Sequence, residues 1–288
     1  MFSLRRVPKI VILAFILIWI SILCALFSSF LSPHDPLKTD LNKRLISPVF
    51  QKGGTWKNIL GTDHLGRDIL SRIIYGARVS LLVGFMATFI GSFIGVNLGL
   101  LSGYIGGKAD SVVSKLMDIQ LSFRLILFAI FVISILGPSF RNLIIVCGIS
   151  SWVTYARVVR GQVLSIREKE FIEAARGIGC STIRILTRHV LPNALASIVI
   201  IATLEIGRII VLESTLGFLG LGVQPPTPSW GNILYDGKTY MVLAWWISAF
   251  PGLVIMMVVL AFNIIGDYLS DLMDPYMKQM MEAGQVRE

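Results

Sequence analysis

The stretch EFIEAARGIGCSTIRILTRHVLPN, Glu170 to Asn193, decides how the rest of the chain is read. It predicts two short helices broken at Gly177 and Gly179, with Ser181 placed to cap the second. The first would present Phe171, Ala174, Ala175 and Ile178 as a small apolar face among charged residues, a pattern suited to docking into a groove on another protein. On both sides the chain turns abruptly apolar, over 142–159 before it and 194–222 after it. An ordered segment of about 30 residues is long for a plain connection and is expected to have a task.

Working outward, six runs are apolar enough to cross a bilayer, which takes about 20 residues of helix. They are 10–31, 79–101, 118–136, 142–159, 194–222 and 244–268. The composition agrees: 55% of the 288 residues are apolar and 15% charged, more apolar surface than a soluble fold could hide. The expected fold is an all-α membrane protein of six transmembrane helices. An even number of spans puts both termini on one side, and Arg5, Arg6 and Lys9 favour a cytoplasmic start. The chain then divides into a cytoplasmic N-terminus 1–9, a first span 10–31, an extracytoplasmic segment 32–78, a five-helix domain 79–268 enclosing a cytoplasmic loop 160–192, and a cytoplasmic C-terminus 269–288. The first run is too long for a signal-peptide core and no small-x-small cleavage site follows it, so it is expected to persist as a span. Arg157 to Arg188 holds seven basic residues, as an inner loop should, whereas 32–78 holds eight and runs against the charge rule.

Pro33, Pro36, Pro48 and Gly53-Gly54 make 32–58 irregular. After it Ile69, Leu70, Ile73 and Ile74 alternate at helical spacing with Arg67, Asp68, Arg72 and Arg78, which predicts an amphipathic helix on the outer surface before the second span. The second span carries Gly91, Gly95, Gly99, Gly103 and Gly107, one every fourth residue, a face on which a neighbouring helix can approach closely.

Several function classes fall away. The formal charge of +9 is scattered between apolar runs and forms no stripe or arm for nucleic acid. Cys24, Cys147 and Cys180 are too far apart for a disulfide framework or a zinc cluster. There is no HExxH and no GxSxG, and His34, His64 and His189 stand far apart, so neither catalytic residues nor a metal site are expected. Gly106-Gly107-Lys108 is the nearest approach to a phosphate loop, but Ser102 and Ala109 occupy two required positions and the chain should not bind ATP by itself.

Charges inside the fifth apolar run stand out, because a charge facing lipid is costly. Glu205 and Arg208 share one helix face and can pair, while Glu213 has no such partner within a turn. The run exceeds the hydrocarbon thickness and ends in Gly217, Gly220 and Gly222, which predicts a tilted or broken helix lining a translocation pathway with a gate at the glycines. A proton-coupled secondary transporter would use Glu205, Arg208, Glu213 and Asp267 as its relay, but leaves the loop 160–192 without a purpose.

The loop resembles the EAA loop of ABC importer permeases: Glu173, Ala174, Ala175, Gly179, Leu191 and Pro192 fall in register, and His189 departs from the pattern. GTDHLGRDILSRIIYGARVSLL from Gly61, STLGFLGLGVQPPTPSWGNILYDG from Ser214 and AFNIIGDYLSDLMDP from Ala261 are similar to the C-type permease subunits of dipeptide, oligopeptide and nickel importers. The resemblance implies the type I ABC importer permease fold, with the loop as the helix that couples to an ATPase. It implies a second homologous permease subunit in a heterodimer, two ATP-binding subunits that hold ATP and Mg, an extracytoplasmic substrate-binding protein, and a bacterial or archaeal plasma membrane, with lipid around the chain. It leaves peptides and nickel or other metal chelates both open as cargo, with the lack of a His or Cys cluster in a span favouring peptides. Where related permeases commonly carry Phe-Pro, this chain has Phe123-Arg124, so the expected kink is removed and Arg124 is expected to snorkel to the interface.

Overall fold

The computed structural model describes residues 7–273. Arg5, Arg6 and most of the expected C-terminal segment, Pro275 included, lie outside the described residues. Eleven α-helical segments occur in chain order, with no strand among the described residues. The first apolar run is α1 (Lys9–Leu26) and a single turn, α2 (Ser28–Leu31), separated at Phe27. The second is α3 (Ile69–Ile105), followed by α4 (Gly107–Ser122), α5 (Leu125–Leu136) and α6 (Phe140–Ile166). The loop contributes α7 (Glu170–Gly177) and α8 (Thr182–Ile185), then a wide π turn over Leu186–Val190 that runs into α9 (Leu191–Phe218). A short α10 (Trp230–Lys238) and the long α11 (Trp246–Met273) complete the chain. Five of these rods are long and apolar enough to cross a membrane, and α4 with α5 makes a sixth apolar segment bent by 92°, a broken span or a re-entrant loop.

Two expectations are corrected. The amphipathic stretch after Gly61 is not a separate surface helix but the first turns of α3, in which Ile69, Ile73 and Arg72 are all buried. Asp68 caps it, accepting from the Ser71 amide at 2.9 Å, and nothing interrupts the helix before Ile105. The third span is not a straight 118–136 helix. Phe123 and Arg124 both take extended backbone and the two halves meet at 92°, so the kink persists without proline. α5 alone, about 18 Å long at 1.5 Å per residue, is too short to cross. α4 lies against α6 instead: the Asp110 carboxylate accepts from Arg160 Nε at 2.5 Å and Nη2 at 2.8 Å, and Trp152 Nε1 donates to Gln120 at 2.5 Å.

The most extensive helix contact is α3 against α6. A Cβ on Gly95 would meet the Trp152 carbonyl and stand 2.6 Å from Tyr155 Cβ; on Gly99 it would stand 2.7 Å from the Ala156 carbonyl oxygen, and on Gly103 2.8 Å from Val163 Cβ. The fifth glycine of the ladder, Gly107, lies past the end of α3 and starts α4. Between helices in lipid the driving force is close packing, and this seam supplies it. α9 packs on α3, α6 and α11, and α1 on α3 and α11, which leaves α9 central.

Candidate functional site

The loop between α6 and α9 is a knob built on two faces of one short helix. Ile172 is fully buried and Ala175 nearly so, packed with Leu100, Val159, Val163, Ile185 and Val190. Phe171, Ala174 and Ile178 point outward, Phe171 44% and Ile178 82% exposed, as does Glu173. Ala175 therefore belongs to the inner face, and the outer face is narrower than the sequence predicts. The knob is also tied to the end of α3. Arg176 lies 5.0 Å over the Tyr104 ring and donates to its hydroxyl at 3.2 Å, and Arg167 donates to the Gly103 carbonyl at 3.1 Å.

Gly179 ends α7 with φ +79, its amide bonded to the Arg176 carbonyl, a left-handed cap that side chains resist. Pro192 has no amide for the carbonyl four residues back, and the rod accommodates it by widening: the Leu191 amide bonds the Leu186 carbonyl, five residues back. Thr182 to Phe218 is consequently one continuous helical rod from the knob through the bundle.

Along that rod the charges part company. Arg208 Nη1 donates to Glu205 at 3.0 Å, with Glu205 buried and the Arg208 side chain 52% exposed. Glu213 is fully buried and faces the core, and its long-range partner could not be read from spacing: Ser80 Oγ on α3 donates to it at 3.0 Å. The Ser80 hydroxyl also accepts from the Trp230 amide at 3.3 Å, so α3, α9 and α10 meet at one polar knot. Three hollows run beside α9, all lined by Arg208 and Leu125. The largest of them, about 370 Å³, is also lined by Arg124, which therefore faces a cavity beside α9. Glu205 lines the smallest and Glu213 none of the three.

At the far end of α9, Gly217 packs on Gly231 of α10 and Gly222 folds back on Gly217. Gly220 takes φ +80 beside Tyr235. Gly217 and Gly220 line a hollow of about 410 Å³ together with His64, Arg67, Arg72 and Asp236. The sequence reading missed this network altogether. Asp63 accepts from Arg67 Nε at 2.6 Å and from the Leu65 and Arg67 amides, and pairs with Arg72. Asp236 on α10 takes both arginines at 2.9 Å. Asp63, His64 and Asp236 come within metal-binding distance of one another, but two guanidiniums already neutralise the carboxylates, so the cluster reads as a charge-balanced clamp.

Burial alone would push Asp63 up, but Arg72 and Arg67 outweigh it and hold its carboxyl below the usual range. A depressed carboxylate stabilises the fold at pH above its unfolded value of about 3.9, and that contribution is lost as pH falls through the lower folded value. The melting temperature of the purified protein should hold from neutral pH down to about 5 and drop below about 4. Asp63→Asn should cost about 3 kcal/mol at neutral pH, because it leaves two buried arginines short of charge. A variant melting with the wild type at pH 7 would remove the clamp from the fold's supports.

A bundle of five straight apolar rods and one bent pair, with a folded knob inserted before α9 and hollows beside that rod, defines the class as a multi-pass membrane protein. Residues 95–279 match the sequence model described as binding-protein-dependent transport system inner membrane component. The chain belongs to that family, the membrane subunits of ABC importers, which work with ATP-binding and substrate-binding components and reside in the plasma membrane as multi-pass proteins. It is 44% identical to the dipeptide transport system permease protein DppC of Alkalihalophilus pseudofirmus, over 96% of this chain and 89% of the relative. It is 41% identical to the di/tripeptide permease DppC of Pseudomonas aeruginosa, over 89% and 85%, and 41% identical to the glutathione permease GsiD of Escherichia coli, over 89% and 83%. Among solved structures the inward-facing MetNI methionine ABC transporter aligns with a TM-score of 0.59 at 22% identity, over 70% of this chain and 95% of that one, a likeness of fold. The type I importer permease fold is thereby the fold of this chain.

Proposed function

We propose that this chain forms half of the pathway by which an ATP-driven importer brings di- or oligopeptides across the plasma membrane, paired with a second, related permease. The relatives' names carry the cargo: dipeptide, di/tripeptide and glutathione permeases at 41–44% identity over most of the chain. The same names weigh against nickel or another metal chelate. The proton-relay alternative has little geometric support, because the Glu205 carboxylate is paired with Arg208 and Glu213 is buried and lines none of the three hollows beside α9.

In this reading the knob end and both termini are cytoplasmic. The outer face of α7, Phe171, Ala174 and Ile178 with Glu173 beside them, enters a cleft of an ATPase subunit, where ATP and Mg are held. Ile172 and Ala175 lock α7 to the bundle, so a push on the knob travels through Leu191 and Pro192 into α9. The glycine contact of Gly217, Gly220 and Gly222 with α10 forms the outer closure that such a push would open. The chain itself needs no catalytic residue and no resident cofactor. The test is reconstitution of the two permeases, ATPases and binding protein in vesicles. A labelled dipeptide should accumulate only with ATP, and uptake that persists without the ATPases, or collapses with an uncoupler alone, would overturn the assignment.

A further inference from the structure

The cavity beside α9 carries two guanidiniums on otherwise largely apolar walls. Arg124 stands at the break between α4 and α5, on backbone that belongs to neither helix, and Arg208 on α9 lines the same space of about 370 Å³. That volume suits a small ligand. Arg208 is held in place by Glu205, yet the single bond drawn to that carboxylate uses one of its five N–H donors. Arg124 makes no ion pair among the described residues. The remaining walls are Leu125, Ile126, Val211, Leu212 and Thr215. A charge on such walls is tolerated beside water or a ligand and not against lipid. Two planar forks with free donors in an apolar setting match one chemistry above others, a carboxylate held by charge-assisted, bidentate hydrogen bonds.

We propose that Arg124 and Arg208 together receive the free C-terminal carboxylate of the peptide as it passes, so that the permease, and not only the binding protein, discriminates in favour of peptides with an unblocked C-terminus. This rests on the peptide reading above. The site lies at the break in the third span, where Arg124 takes extended backbone between α4 and α5 and lines the cavity together with Arg208.

The experiment uses the complete importer in vesicles and compares Ala-Ala with Ala-Ala amide, each loaded to saturation on the binding protein. In the double variant Arg124→Gln/Arg208→Gln, import of Ala-Ala should fall at least about tenfold while import of the amide stays at its wild-type rate, so that the preference disappears; loss of even one of the two charge-assisted contacts is of that order. Arg124→Lys/Arg208→Lys should keep most of the preference. Because Arg208→Gln leaves Glu205 unpaired, Glu205→Gln/Arg208→Gln is measured beside it, and the same loss of preference is expected. Equal loss for both peptides would overturn the proposal and assign the arginines to structure or to a carboxylate of the second permease. A preference that survives the double variant would overturn it while leaving peptide import intact. Failure of the wild-type complex to import either peptide would bring down the peptide reading and this inference together. Vesicles of phosphatidylcholine with and without phosphatidylglycerol should give the same preference, and a preference that requires the anionic lipid would assign the site to a headgroup and overturn the proposal.

Discussion

Ile178→Asp with Phe171→Asp should leave the permease folded in the membrane and reduce ATP-driven import by about a hundredfold, and Ile178→Asp alone by about tenfold. Ile178 is 82% exposed and Phe171 44% exposed, on the face of α7 turned away from the bundle, so aspartate there meets water in the isolated chain and costs the fold little. In the docked complex proposed above the same residues would lie against an apolar groove of the ATPase. Losing the burial of each large apolar side chain removes about 1.5–3 kcal/mol, and a factor of ten corresponds to about 1.4 kcal/mol, so two substitutions reach a hundredfold without counting the desolvated charge. The internal comparison is Ile172→Asp, on the same helix but fully buried among Val159, Val163 and Ile185, which should prevent accumulation of the protein altogether. Co-purification of the ATPases separates the two cases: absent for Ile178→Asp at normal permease levels, unmeasurable for Ile172→Asp. Full-rate import by Ile178→Asp would end the docking role of this face.

The contrast between Ile172 and Ile178 also marks where sequence reasoning stopped. Helical spacing identifies a small apolar helix, but Ala174 and Ala175 are adjacent and periodicity cannot say which of them faces inward; the packing of Ala175 with Leu100 and Val190 does. Five crossings were legible because an apolar run of about 20 residues with few charges matches the thickness of a bilayer and little else. The third was misread as straight because the usual marker of a kink, proline, is replaced by Arg124, while the break resides in the backbone of two residues. The clamp was out of reach in part: Asp63 and Arg67 sit at i,i+4 and could have been paired, but Asp236 lies 169 residues from Arg67 and only the fold brings them together. Ser80 and Glu213, 133 residues apart, are the same case, and they turn an apparently unpartnered membrane carboxylate into a buried junction. The residues that carry chemistry in this chain therefore divide by sequence distance. Glu205 with Arg208 was visible as a local pair, whereas their neighbour across the cavity, Arg124, was visible only as an oddity.

Gly95→Leu should abolish folded protein, and Gly95→Ala should already lower its thermal stability sharply. The glycine ladder reads in the sequence as a surface for close approach, and the structure shows what approaches: the backbone of α6, with the Trp152 carbonyl, Tyr155 Cβ at 2.6 Å and the Ala156 nitrogen at 3.0 Å from where a Cβ on Gly95 would stand. Backbone atoms cannot rotate away as a side chain end can, so the two helices would have to separate. Overpacking of this kind costs about 1–3 kcal/mol for a methyl group and more for a larger one. In a bilayer the loss is not offset by a hydrophobic force between the helices, since lipid chains are as apolar as leucine. Gly161, on α6, has no atom within 4 Å of the position its Cβ would take, and Gly161→Ala should be neutral or stabilising by up to about 1 kcal/mol through helix propensity. The pair isolates the seam from any general intolerance of glycine replacement in a membrane helix. Melting curves of the two alanine variants should move in opposite directions or only the Gly95 curve should move. Equal, small shifts would show that α3 and α6 can separate at little cost, and the glycine seam would no longer count among the fold's supports.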